Sequence, residues 1–446
     1  MGRILSLKEY EDALDNAEPL LVKGKLTKAV GLVLETTHPG LSIGKICRIK
    51  SKKSGIFSGI AADAGITAEV IGFNNDKAIL MPYGDTSGIS LESEVLLLDE
   101  EEKFPAGEEL LGRILDPFGN PMDEKGRIFC GDYAKISAEP PSPLSRKRIG
   151  EVMDVGVRAV NSFLTIGKGQ RIGIFAGSGV GKSTLLGMFT KYSESDVNVI
   201  ALIGERGREV KEFIEKSLGE EGLKKSVIIV ATSDKSPLVR LRGAFAATAV
   251  AEYFRDKGRN VLFLMDSITR FAMAAREIGL SAGEPPTVRG YTPSVFSVLP
   301  KLLERAAISD KGSITGIYTV LVEGDDMNEP VSDTVRSILD GHIILSRKIA
   351  ENGIFPAIDV LNSLSRVMPD VVSEDHLLKA REVLKVVSEY RINEDLINIG
   401  AYSKGSNDKI DFAIDHISKI ENFIKQTPDE KYSFDESLKE MGGLLN

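Results

Sequence analysis

Arg171-Ile172-Gly173-Ile174-Phe175-Ala176-Gly177-Ser178-Gly179-Val180-Gly181-Lys182-Ser183-Thr184 is the stretch that decides the fold. Arg171–Phe175 reads as a buried strand, and Leu185–Tyr192 beyond the loop reads as a helix. Between them lies a glycine-rich loop ending in Lys-Ser, and this strand–loop–helix context is what a phosphate-binding loop requires. Glycine lets successive backbone N–H groups turn inward toward phosphate oxygens. The helix N-terminus adds partial positive charge. Gly177, Ser178, Gly179, Val180, Gly181, Lys182, Ser183 and Thr184 are therefore the candidate nucleotide-binding residues. Lys182 is placed to reach the β- and γ-phosphates and the Ser183 hydroxyl to ligate Mg²⁺. The first motif position is Ala176 instead of glycine, which a similarly small residue tolerates.

Outward from the loop, apolar runs at Asn198–Ile203, Ser226–Thr232, Asn260–Met265, Ile314–Val322 and His342–Leu345 alternate with helical stretches. One such helix is Pro237–Lys257, with Ser236 at its N-cap position and Gly258 just past its end. Near-continuous apolar strands between helices predict a parallel sheet covered on both faces. Upstream the rhythm shortens. Ala29–Leu34, Lys45–Ile49, Ala68–Phe73, Lys77–Met81 and Glu94–Leu98 are β-type runs separated by turn signals, which predicts a small β-barrel. Downstream of Pro369, Glu374–Ser388, Asp411–Gln426 and Ser433–Leu445 read as helices. The expected organisation is a docking helix over 1–19, a barrel over 20–99, an α/β core over 100–367 and a helical domain over 368–446. Within the core, 100–149 is a connector rich in Pro and Gly. In the first segment, Ile4, Leu5, Leu7 and Leu14 share much of one helical face, which fits either a packed terminus or a partner-docking helix.

Composition narrows the function. The 446 residues exceed a single compact core. A net charge of −9 makes the chain a poor default ligand for nucleic acid. Cys47 and Cys130, with four scattered histidines, give no metal-ligand spacing and read as free thiols. No apolar run approaches the roughly 20 residues of a membrane span. Acidic residues come too early at the N-terminus for a signal peptide, and the expectation is a cytoplasmic protein.

Three further positions carry candidate chemistry. Asn260–Met265 runs into Asp266, a carboxylate at a strand's C-terminal end, where α/β sheets bind ligands and where it can hold Mg²⁺ through a water. Glu205, in Gly204-Glu205-Arg206-Gly207-Arg208-Glu209, follows a strand and fits either a base that polarises the attacking water or a solvated helix start. Arg366, in Leu364-Ser365-Arg366, fits either an arginine finger acting in trans or a surface salt-bridge partner.

These strings in this order resemble the flagellar and type III secretion export ATPases, relatives of the catalytic subunit of rotary ATP synthases. The resemblance spans most of the chain and rests on FAGSGVGKSTLLGMF (175–189), ALIGERGREVKEFIE (201–215), VLFLMDSITRFAMAAREIGLSAGEPP (261–286), FPAIDVLNSLSRVMPD (355–370) and INIGAYSKGSND (397–408) among others. It implies an α/β RecA-like P-loop core with an N-terminal small β-barrel and a C-terminal helical domain. Carried over residue by residue, Lys182 and Ser183 match the phosphate lysine and magnesium ligand, and Asp266 the Walker B carboxylate. Glu205 matches the catalytic carboxylate, Arg206 a neighbour that contacts phosphate or the adjoining subunit, and Arg366 the inter-subunit arginine finger. Phe355 matches the aromatic packed on adenine, where many relatives carry Tyr, and Tyr402 is a candidate for the other wall of that pocket. The resemblance also implies a homohexamer using Mg²⁺ with ATP, a stator-like regulator at the N-terminal helix, a central stalk, and an export gate receiving chaperone–cargo complexes. It places the protein in the cytoplasm, peripheral at the inner face of the cytoplasmic membrane through partners, with no specific nucleic acid. Flagellar export is favoured over a virulence injectisome by GAYSKGS and RGREVKEFIE. A rotary catalytic subunit lacks support because no DELSEED-type acidic string is present, and a noncatalytic ring subunit because Glu205 is present. A hexameric RNA translocase of the transcription-terminator type would need basic and aromatic residues along a single-strand groove. The acidic balance, the absence of Trp and the GAYSKGSND string oppose it.

Overall fold

The computed structural model describes residues 22–50, 65–98, 102–322 and 326–446. The expected docking helix of residues 3–18 lies outside them. The described chain forms two compact units, one holding the barrel with residues 277–285, the other holding 102–276 and 286–446.

In the first unit, β1 (Lys23–Val30), β2 (Val33–Thr37), β3 (Ile46–Lys50), β4 (Ile66–Asn74), β5 (Lys77–Pro82) and β6 (Glu94–Leu98) close into an antiparallel barrel of order β1-β2-β5-β4-β3-β6. Alternation along the strands turns Leu26, Leu34, Ile49, Val70, Leu80 and Val95 inward. Cys47 is buried among them, and burial pushes its thiol up to about 11. One expected strand was drawn wrongly: Ala29–Leu34 contains the hairpin turn itself, with Val30 opposite Val33 across Gly31-Leu32. The apolar residues on both sides of a two-residue turn hide it from a periodicity reading.

The second unit holds β7 (Lys103–Ala106), β8 (Arg113–Leu115), β9 (Asp132–Lys135), β10 (Arg171–Ala176), β11 (Val197–Ile203), β12 (Ser226–Ala231), β13 (Asn260–Asp266), β14 (Ser313–Leu321), β15 (Gly341–Leu345) and β16 (Leu364–Ser365). Eight of these form one sheet of order β16-β15-β10-β14-β13-β11-β12-β8, parallel except for the β15–β16 pair. Every residue of β11 and β12 is buried, as a sheet covered on both faces requires. The connector contributes more than a linker. It supplies the edge strand β8 and a separate two-stranded piece, β7 with β9. Deep charge is paired: Arg305, 1% exposed, donates to Glu252 through Nε at 2.9 Å and to the Ile136 carbonyl at 2.7 Å.

Three C-terminal helices, Glu374–Asn398, Asp408–Ile424 and Phe434–Met441, pack on the core. Each has a side-chain N-cap, from Ser373, Asn407 and Ser433, the last in a full capping box with Glu436. Arg158 fastens them to the core: its guanidinium lies 4.0 Å from the Tyr432 ring centre and donates to the Lys425 carbonyl at 2.6 Å. No helix among the described residues is long and apolar enough to cross a membrane.

Candidate functional site

The site forms where β10 ends. Ala176 is the last strand residue, the loop turns over Gly177–Gly181, and the helix Lys182–Tyr192 begins at once. The expected helix start at Leu185 moves back to Lys182, so Lys182, Ser183 and Thr184 form its first turn. Their N–H groups have no earlier carbonyl to bond and face the space where phosphate would sit. Gly179 and Gly181 are left-handed, with φ of 80° and 89°. A Cβ on Gly181 would lie 3.5 Å from the Phe355 ring, which places that aromatic directly against the loop.

Two carboxylates from neighbouring strand ends converge on Lys182. Its Nζ lies 2.5 Å from Asp266 Oδ1 at the end of β13 and 3.8 Å from Glu205 Oε1 just past β11. Burial disfavours the ammonium, but Asp266 and Glu205 outweigh it and hold Lys182 above its ordinary value. Glu205 behaves in the opposite way. Burial foremost, then the Asp266 charge, push its carboxyl up to about 7 against the pull of Lys182. Its Oε1 is buried and makes no hydrogen bond among the described residues. A carboxyl poised near neutral pH with a vacant acceptor lobe is suited to take a proton from water. Asp266 is steadied by the Thr319 hydroxyl, which donates to Oδ1 at 2.6 Å.

Other expected site residues are placed as follows. Ser178, Ser183 and Thr184 are exposed around the loop, and Val180 is buried beneath it. Arg206 is exposed and donates to Glu209 Oε1 at 3.3 Å, one turn along the same helix start. The Tyr402 hydroxyl is held at the start of the helix Asp408–Ile424, 3.0 Å from both the Asn407 carbonyl and Asp411 Oδ1, and it accepts from the Asn407 N–H at 3.2 Å. Arg366 lies at the other end of the sheet. Its N–H bonds the Asp340 carbonyl at 3.0 Å, and the Asp340 N–H bonds the Arg171 carbonyl at 2.8 Å. It is therefore level with the start of β10, about 17 Å of strand away from Ala176 at roughly 3.3 Å per residue. Its side chain is exposed and makes no hydrogen bond or ion pair among the described residues.

Sequence reasoning missed two participants. Thr319 sits inside an apolar strand with no motif around it. Arg270 lies in the first turn of the helix Ile268–Ser281 that follows Asp266, and its Cβ is 2.6 Å from where a Cβ on Gly204 would sit, the left-handed glycine (φ 71°) before Glu205. Only glycine lets Arg270 pack there, beside Glu205, and its buried Nε makes no hydrogen bond among the described residues. The string Asp266-Ser267-Ile268-Thr269-Arg270 was the available signal.

The oxygen donors here, the Ser183 hydroxyl and the Asp266 carboxylate beside Glu205, are the chemistry that magnesium takes. Among the described residues no group of three or more His, Cys, Asp or Glu is placed to hold a metal ion.

Comparison with known proteins agrees with this geometry. Residues 156–365 match the ATP synthase alpha/beta family nucleotide-binding domain, 26–98 the beta-barrel domain of that family, and 372–443 the T3SS EscN ATPase C-terminal domain. The flagellum-specific ATP synthase of Bacillus subtilis is 52% identical over 435 residues, covering 97% of each chain. The assembled ATPase EscN of the enteropathogenic E. coli type III secretion system superposes with a TM-score of 0.88 at 45% identity, covering 95% of this chain and all of that one. EscN in complex with its central stalk EscO superposes at 0.85 with 44% identity, over the same shares of the two chains. A phosphate loop, a paired lysine and aspartate, a raised glutamate, and full-length similarity on both counts lead to one conclusion: the chain belongs to the ATP synthase alpha/beta family, among its flagellar and type III secretion ATPases.

Proposed function

We propose that the chain energises flagellar protein export as a ring of identical copies, each hydrolysing ATP at a site completed by its neighbour. The observation that carries this reading is the separation of Arg366 from its own P-loop by the length of a strand. An unpartnered cation so far from its own nucleotide serves another copy or none. In a head-to-tail ring the same two surfaces meet at every boundary.

Lys182 holds the β- and γ-phosphates, exchanging its present contact with Asp266 for them. Glu205 orients the attacking water and accepts its proton, for which a value near 7 is well matched. Phe355 packs on the adenine, with Tyr402 as a candidate for the other wall, and Arg206 contacts phosphate or the adjoining copy. Magnesium, held by Ser183 and Asp266, would neutralise charge between the β- and γ-phosphates. Arg366 of the next copy stabilises the charge that develops on the transferred phosphoryl group.

The assembled form of EscN and its complex with a central stalk support a homohexamer and a stalk partner here. The remaining partners of this reading are a stator-like regulator at residues 1–19, the export gate, and chaperone–cargo complexes. They would hold the protein at the inner face of the cytoplasmic membrane. The flagellar relatives favour that system over an injectisome.

The test is complementation. Glu205→Gln and Arg366→Ala are each expected to abolish hydrolysis. Mixed one to one, a random ring has about a quarter of its boundaries with an intact Glu205 facing an intact Arg366. Recovery toward about a quarter of wild-type turnover is expected. Mixtures no more active than either variant alone would show that the two residues do not share a site across the boundary.

A further inference from the structure

A cavity of about 300 Å³ lies between the core and the C-terminal helices. One wall is the core segment with Ile354 and Ile358, and the other is the pair of helices with Ile417 and Ile420. All four are buried. The space opens to solvent on one side, and its apolar walls give water there little to bond. The polar lining has a definite charge pattern. Arg391 pairs with Asp359 at 2.7 Å and Lys348 with Glu394 at 2.8 Å, each tying the long helix to the core. That leaves the Glu421 carboxylate, which lines the same space and makes no hydrogen bond or ion pair among the described residues. The Tyr390 hydroxyl beside it also makes no hydrogen bond among the described residues. Three carboxylates face two cations, so the lining carries one negative charge in excess.

We propose that this cavity is a binding site for a small apolar molecule bearing one positive charge, an aryl- or alkylammonium. The apolar body fills the space between the isoleucines. The ammonium donates to Glu421, and the Tyr390 oxygen can take a further N–H. The volume sits at the lower end of small-molecule sites and is too small for a peptide helix. An occupant touches Ile354–Ile358, the segment that carries Phe355, whose carbonyl accepts from the Gln426 N–H at 2.9 Å. The site thus borders Phe355, which is not among its lining residues.

Tryptamine is a suitable probe, because the chain contains no tryptophan and indole emission reports binding directly. It is titrated into the full-length protein without nucleotide, so the outcome does not depend on how ATP is hydrolysed. A saturable blue shift of the emission is expected. Tryptophol, the same molecule with a hydroxyl in place of the ammonium, is expected to bind about tenfold more weakly. Glu421→Gln should weaken tryptamine about tenfold and leave tryptophol unchanged, while basal ATP hydrolysis persists. Ile420→Phe, which fills the cavity, should abolish binding of both. If that variant does not fold, the comparison of the two probes on wild type and Glu421→Gln decides alone. Absence of saturable binding overturns the proposal, as does equal binding of both probes to wild type and Glu421→Gln.

Discussion

Glu205→Gln tests the electrostatics of the site apart from its chemistry. In the nucleotide-free protein, burial and Asp266 lift the Glu205 carboxyl from an ordinary 4.5 to about 7. That lift corresponds to about 3 kcal/mol, since each pH unit is worth about 1.4 kcal/mol. Its sign follows from linkage. Below pH 4.5 folded and unfolded chains both hold the proton, and the group is neutral to stability. Between 4.5 and about 7 the unfolded chain releases it while the folded chain keeps it, so stability falls as pH rises. Above 7 the full cost is present. Glutamine mimics the protonated form at every pH. Lys182 is not orphaned by the change, because Asp266 at 2.5 Å remains its nearer partner. The variant is therefore expected to match wild type at pH 4.5 and to exceed it by about 3 kcal/mol at pH 8, a rise of about 4 °C in Tm. ATP should still bind, and turnover should fall by several orders of magnitude. Thermal melts of both proteins across this pH range, without nucleotide, provide the measurement. A variant less stable than wild type at pH 8, or a difference that does not change with pH, would refute the account of a desolvated Glu205. Retained turnover would remove Glu205 from the mechanism.

The same raised carboxyl predicts an acid limb in kcat/KM with a midpoint near 7, because the free enzyme's base must be ionised, and a flat profile down to pH 5 would contradict it. Phe355→Ala should weaken ATP binding about tenfold while Phe355→Tyr keeps it, read by equilibrium binding of a fluorescent ATP analogue. Thr319→Val removes the 2.6 Å donor to Asp266 and should raise KM for magnesium-ATP about tenfold, with a smaller change in unfolding midpoint. Gly204→Ala drives a Cβ to 2.6 Å from that of Arg270 at a positive φ, and should cost about 2 kcal/mol or more in chemical denaturation.

Much of this architecture was legible because its signals are local. The P-loop carries its own context, and β10, β11, β13 and β15 are apolar runs whose ends fall within a residue or two of expectation. What escaped depends on tertiary company. β8 is three residues long and is a strand only because the edge of β12 accepts it. The long C-terminal helix was expected to end at Ser388 but runs to Asn398, since Ile392 and Ile399 are about three-quarters exposed and break the apolar stripe. No Gly or Pro interrupts it before Gly400. Thr319 and Arg270 reach the site from strand and helix positions that any core residue could occupy. Glu205 and Arg366 stood open on residue chemistry alone, since a charged side chain after a strand is ordinary. The geometry around Lys182 draws Glu205 inside, whereas Arg366 remains an exposed side chain that the resemblance alone singles out.

The strand-length gap between Arg366 and its own P-loop bears on economy as well as on catalysis. Under the shared-site reading, a newly made copy is latent. It can hold ATP but wastes none while it diffuses, because the missing cation arrives only with a neighbour. Specific activity would then rise with protein concentration and collapse on dilution, and fuel would be spent where the copies gather. Under that reading, the span of one β-strand is enough to make hydrolysis a report of assembly.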